Sequence, residues 1–88
     1  MGFDVKEIQA TPNPNAVKFV LDREISDRPV SFLQPEEGKN HPVASLLFSI
    51  KGVTSVLMLG DFVTINKRPE IAWKTITEKV EEILQKCD

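Results

Sequence analysis

The spacing of apolar positions changes along this chain, and each change marks an element. From Ala16 to Asp22, Val17, Phe19 and Leu21 alternate with Lys18 and Asp22, the period-two signature of a half-buried strand. Phe3 to Ala10 also reads as a strand. Phe3 and Val5 point one way while Ile8 and Ala10 point the other, so a bulge is expected near Lys6 or Glu7. Between the two lies Thr11-Pro12-Asn13-Pro14-Asn15, whose prolines lack backbone donors and whose asparagines favour turns, so the pair reads as a first hairpin closed by a stiff loop. Gly52 to Asn66 holds a second pair of β-prone runs joined at Gly60-Asp61. Glycine at the first central position of a two-residue loop is what a type II′ turn requires.

That turn sets a register in which Leu59 faces Phe62, Met58 faces Val63, Leu57 faces Thr64, Val56 faces Ile65 and Ser55 faces Asn66. Val56, Met58, Val63 and Ile65 then share one wholly apolar face. A three-residue loop would mix polar and apolar residues on both faces, so the pattern selects the two-residue register. The opposite face keeps Leu57, Leu59 and Phe62 beside Ser55, Thr64 and Asn66. Either this apolar group is a partner surface, or the segment Arg23 to Asn40 folds over it through Phe32 and Leu33. That segment is polar, carries Pro29, Pro35 and Gly38, and offers only Val30 to Leu33 as a short edge strand.

Two stretches have helical period. In Pro42 to Lys51, Val43, Leu46, Leu47 and Ile50 fall on one stripe, with Asn40 or His41 as cap and Gly52 as stop. After Lys67-Arg68, Pro69 suits a helix start, and Trp73, Ile76, Val80, Ile83, Leu84 and Cys87 recur at helical spacing opposite Lys74, Glu78, Lys79, Glu81, Glu82 and Lys86. The order β-β-α-β-β-α predicts an α+β, two-layer sandwich: a four-stranded antiparallel sheet with two helices on one face. Residues 1–88 make one domain on this reading, small enough to bury only roughly 60 to 65% of the surface its unfolded chain exposes.

Composition narrows the function. A formal net charge of -2 offers no general attraction for nucleic acid or anionic lipid, and the absence of tyrosine leaves no evident platform for stacking bases. No apolar run approaches the ~20 residues of a membrane span, no signal-peptide block opens the chain, and the single cysteine excludes an intrachain disulfide. A cytoplasmic location is the expectation. His41 and Cys87 are the only imidazole and thiol, short of the roughly four ligands of a closed zinc or cluster site. Cys87 lies on the core stripe of the last helix, and a metal would need ligands from more than one chain. Asp61 supplies turn chemistry, Glu78, Glu81 and Glu82 a solvated face, and Lys18, Lys67 and Arg68 a small basic patch. No phosphate loop, Ser-His-Asp set or paired acid and base is present, so no catalytic residue is assigned.

The block Thr11-Pro12-Asn13-Pro14-Asn15-Ala16-Val17-Lys18-Phe19 is followed by Leu47-Phe48, Ile50-Lys51-Gly52-Val53, Val56, Asp61-Phe62-Val63-Thr64-Ile65 and Trp73. This set resembles the N-terminal domain of the NifU-like (Nfu) iron-sulfur cluster scaffold proteins, over about Val5 to Leu84. The resemblance implies a compact α/β domain that accompanies a separate C-terminal domain, where a Cys-X-X-Cys pair holds the cluster. That pair is absent here. Asn13, Asn15, Lys18, Asp61, Phe62 and Trp73 match the family pattern as a structural signature as much as a binding site. The reading is therefore a non-catalytic interaction module of iron-sulfur cluster assembly. It holds no cofactor itself, and its partners are scaffold or target proteins that meet Leu57, Leu59 and Phe62. The rival is iron or cluster binding through intermolecular ligands such as Cys87, with His41.

Overall fold

The computed structural model describes residues 2–86. The elements run β1 (Val5–Ala10), β2 (Ala16–Leu21), β3 (Ser26–Phe32), α1 (Pro35–Gly38), α2 (Pro42–Phe48), β4 (Val53–Gly60), β5 (Phe62–Lys67) and α3 (Trp73–Lys86). All pairings are antiparallel, and the strands lie in the order β1-β2-β5-β4-β3. The sheet thus has five strands where the sequence pattern predicts four, and a short helix, α1, joins the two expected.

The central hairpin has the expected register, Leu59 opposite Phe62 through Ser55 opposite Asn66. Gly60 has φ +58 while Asp61, like every other non-glycine described, has no positive φ, which fits the II′ turn and not the I′ turn. Val56, Met58, Val63 and Ile65 are buried to 1% exposure or less. The bulge in β1 also occurs, as a register shift between Val5 and Glu7.

The extra strand is β3. Its polar run Ser-Asp-Arg-Pro hides the alternation, and Pro29 rules it out as a central strand. It lies at the edge on β4, with a register shift between Ser26 and Val30 that takes in the proline. Phe32 faces Val56 and is buried in the core, whereas Leu33 just beyond is exposed. The segment therefore does not fold over Leu57, Leu59 and Phe62.

To reach β3 from β2 the chain must pass the whole β5–β4 pair, a gap of three strand spacings or about 14 Å. Residues 22–25 manage this by running across the hairpin tip: Leu21 N–H donates to Asp61 O (2.6 Å) and Ile25 N–H to Gly60 O (2.7 Å). Five residue steps extend to about 17 Å, so little slack remains.

Both longer helices pack on the face of Val56 and Val63. Ile76, Val80 and Leu84 of α3 and Val43, Ala44 and Leu47 of α2 join one buried cluster with β2, β4 and β5. The helix boundaries differ from the pattern. α2 ends at Phe48, and its inward side is Val43, Ala44 and Leu47, which leaves Leu46 of the expected stripe 47% exposed. α3 begins at Trp73 and not at Pro69, because Arg68 to Ile71 form a turn (Ile71 N–H to Arg68 O, 3.2 Å) that sets Ile71 on Gly52.

The two positive-φ glycines differ in surroundings. A Cβ on Gly60 would meet nothing within 4 Å, whereas one on Gly52 (φ +99) would lie 2.6 Å from Ile71 Cγ1. Gly60→Ala should cost only the backbone term, about 1–2 kcal/mol. Gly52→Ala should cost clearly more, and urea unfolding of the two variants ranks them.

Candidate functional site

The family-like loop is a knot of short hydrogen bonds. Thr11 Oγ1 donates toward Asn13 O (2.9 Å) and Ala16 O (2.8 Å) and accepts from Asn13 N–H (3.2 Å). Asn13 Oδ1 accepts from Asn15 N–H (2.9 Å), and Ala16 N–H closes the turn on Asn13 O (3.0 Å). Pro12 and Pro14 hold the remaining backbone rigid and, lacking an N–H, call for no acceptor.

This knot is tied to the far end of the chain. Trp73 Nε1–H donates to Pro14 O (2.9 Å) across 59 positions of sequence. Lys67 N–H donates to Asn15 O (2.8 Å), and its ammonium, on a residue only 8% exposed, reaches Asn15 Oδ1 (3.3 Å) and Arg68 O (3.2 Å) beneath the Trp73 ring (5.4 Å to its centroid). A buried ammonium is tolerable only when its donors are satisfied, and carbonyl oxygens with an aromatic face do that here. Thr11, Asn13, Pro14, Asn15 and Trp73 are thus brought together as one clamp. Phe19 lies in the core at 0% exposure, and Gly52 carries the turn beneath Ile71.

At the other end of the sheet, Asp61 belongs to the hairpin tip and its carbonyl receives the crossing segment. Lys18 stands apart from Lys67 and Arg68, so the basic patch read from the sequence is not one patch. Its ammonium lies over the Phe62 ring, 4.2 Å from the centroid.

Leu57, Leu59 and Phe62 lie together on the sheet face away from the helices, half-buried by their cross-strand neighbours. Val20 joins them, because β2 pairs with β5 so that Val20 faces Phe62. Sequence reasoning missed Val20. It sits in phase with Lys18 on the outward side of β2, and only the β2–β5 register reveals its neighbour. Among the described residues no helix packs over this group.

His41 caps α2: Nδ1 accepts from Val43 N–H and Ala44 N–H, both at 3.2 Å, and the ring meets Phe32 edge-on at 5.4 Å. One ring nitrogen is therefore already spent on the helix. Cys87 lies outside the described residues, and within them no three His, Cys, Asp or Glu side chains converge as metal ligands would.

Comparison with known proteins matches residues 5–87 to the family model described as scaffold protein Nfu/NifU N terminal. The chain belongs to the Nfu/NifU N-terminal family. It is 36% identical over 76 residues to the NFU1 iron-sulfur cluster scaffold homolog, mitochondrial, of Drosophila willistoni, a match that covers 84% of this chain and 26% of that protein. The Homo sapiens protein of the same name is 36% identical over 72 residues, covering 80% and 28%. The chain thus spans about a quarter of the length of these curated relatives. The solution structure of a NifU-like protein from Saccharomyces cerevisiae superposes with a TM-score of 0.81 at 27% identity, over 97% of this chain and 77% of that one.

The Nfu-type motif in this chain is thus largely accounted for by folding contacts, and the clamp predicts its own cost. Trp73→Phe keeps an aromatic face, though a smaller one, and deletes the Nε1–H···O=C bond to Pro14, so unfolding free energy should fall by at least the worth of that bond, about 0.5–1.5 kcal/mol. Guanidinium unfolding, followed by circular dichroism, measures it.

Proposed function

We propose that this Nfu-type chain is a non-catalytic interaction module of iron-sulfur cluster assembly. It docks a cluster-carrying scaffold or target protein through Val20, Leu57, Leu59 and Phe62 and carries no cluster itself. The observation behind this reading is an apolar group on a sheet face that no described helix covers, in a chain of the Nfu/NifU N-terminal family. A two-layer domain normally keeps its outer sheet face polar, and an apolar group there lowers the cost of bringing up a second apolar surface.

The occupant that fits is an apolar patch on the cluster carrier with a carboxylate at its rim. Lys18 supplies a cation over the group, and its ammonium on the Phe62 ring leaves N–H donors for such a carboxylate. The names of the relatives support a carrier as the partner, since both are called iron-sulfur cluster scaffold homologs and each is several times longer than the part shared with this chain. A cytoplasmic location remains part of the proposal. A mitochondrial one is the alternative, carried by the names of the same relatives. None of the described helices is long and apolar enough to cross a membrane.

Isothermal titration against a purified, cluster-loaded NifU-type scaffold tests the docking. Leu57→Asp and Phe62→Asp, each shown to be folded by circular dichroism, should weaken binding at least tenfold, about 1.4 kcal/mol. Glu81→Lys on α3 should leave it unchanged. Equal affinity for all variants would remove the surface from the reading. Anaerobic reconstitution of the chain alone should give no sulfide-to-iron charge-transfer bands, and bands lost in Cys87→Ser would favour cluster binding between chains instead.

A further inference from the structure

A second surface lies at the clamp end of the sheet, away from Leu59 and Phe62. Leu33 is 68% exposed, the most exposed large apolar side chain among the described residues. It forms one wall of a cleft of about 390 Å³ whose other sides are Gln34 and Pro35, Phe48, the turn 49–54 and Arg68. That volume falls within the ~300–1,000 Å³ of ordinary ligand clefts.

The walls are held in place. Phe48 packs on Gly38, where a Cβ would come within 2.9 Å of its ring, and Val53 is buried at 7% exposure. Arg68 N–H donates to Gly52 O (2.8 Å), which fixes the base of the Arg68 side chain against the turn. Leu33 N–H donates to Glu37 Oε1 (2.9 Å), so that carboxylate is turned to the backbone of the wall.

The charge of the cleft runs against that of the chain. Overall there are 13 acidic and 11 basic side chains, yet the lining includes Lys51 and Arg68 and no carboxylate. The nearest ion pair is Arg68 with Glu70 at 4.0 Å, both side chains 65% exposed, a solvated contact worth little and easily exchanged.

We propose that this cleft binds an acidic peptide segment of a partner protein, with one leucine or phenylalanine seated against Leu33, Phe48 and Val53 and flanking carboxylates on Lys51 and Arg68. Apolar walls supply the anchor and the two cations select the flanking charge, the combination expected of a short linear motif with a single buried anchor. This goes beyond the sheet-face reading and stands or falls separately, since the residues involved are different.

The test uses three peptides carrying fluorescein on the N-terminal amine, with the intact chain: Asp-Glu-Leu-Phe-Asp-Glu-amide, the same peptide with Ser-Ser for Leu-Phe, and one with Lys for each acid. Amide shifts in a nitrogen-proton correlation spectrum locate binding, and fluorescence anisotropy measures it. The first peptide should perturb Leu33, Lys51, Gly52 and Thr54 and bind at least fivefold more tightly than either control. Leu33→Ser should lose at least fivefold and Lys51→Glu with Arg68→Glu at least tenfold, while Leu57→Asp should change nothing. The proposal is overturned by equal binding of the three peptides, by shifts confined to β2, β4 and β5, or by shifts at the cleft that depend on protein concentration without peptide. The last result would assign the cleft to a second copy of the chain.

Discussion

The fold depends on the phase of one hairpin. A two-residue connection at Gly60-Asp61 puts Val56, Met58, Val63 and Ile65 on one side, and a shift by a single position would carry all of them to the other. Every later contact inherits that choice. β2 adds to β5 with Phe19 in phase with Val63, β3 adds to β4 with Phe32 in phase with Val56, and both long helices cover the side so defined. Because these four side chains are apolar and fully buried, a slip would expose that whole set at once.

The two ends of this hairpin are secured by different means. At the tip, the chain leaving β2 crosses over Gly60 and Asp61 and donates to both carbonyls, so the turn is gripped by backbone alone. At the base, side chains do the work: Trp73, Asn15 and the Lys67 ammonium join β5, the proline-rich loop and the start of α3. The residues that make the chain resemble its family gather mainly at this base. Their identity is explained by hydrogen bonds, local at Thr11 and Asn13 and long-range at Trp73 and Lys67, which is a demand of folding before it is one of recognition.

The sequence made the hairpin register, the β1 bulge and both long helices legible, because each rests on periodicity or on glycine and proline chemistry within a few residues. It hid what depends on distant partners. β3 was readable only at its end, as a short edge strand over Val30 to Leu33, because Asp27, Arg28 and Pro29 lie on a solvent edge where no apolar alternation is needed. The start of α3 moved to Trp73 because Ile71 is wanted over Gly52, a contact invisible locally. Leu57, Leu59 and Phe62 were readable as an outward apolar group, but Val20 could join them only once β2 was known to lie beside β5. His41 was readable as a cap, and its ring nitrogen is used that way.

One contact concerns how the domain can be joined to anything else. Phe3 N–H donates to Leu84 O at 2.7 Å, and Arg23 holds Gly2 O while stacking on the Phe3 ring, so both extremities of the described chain meet beside the last turn of α3. A polypeptide grafted at either extremity departs from that shared corner on the helical layer, and leads sent from there need not drape across the outer sheet. The same closeness makes the domain a natural insert: a host loop interrupted at a single point can accept it with its cut ends only a few residues apart.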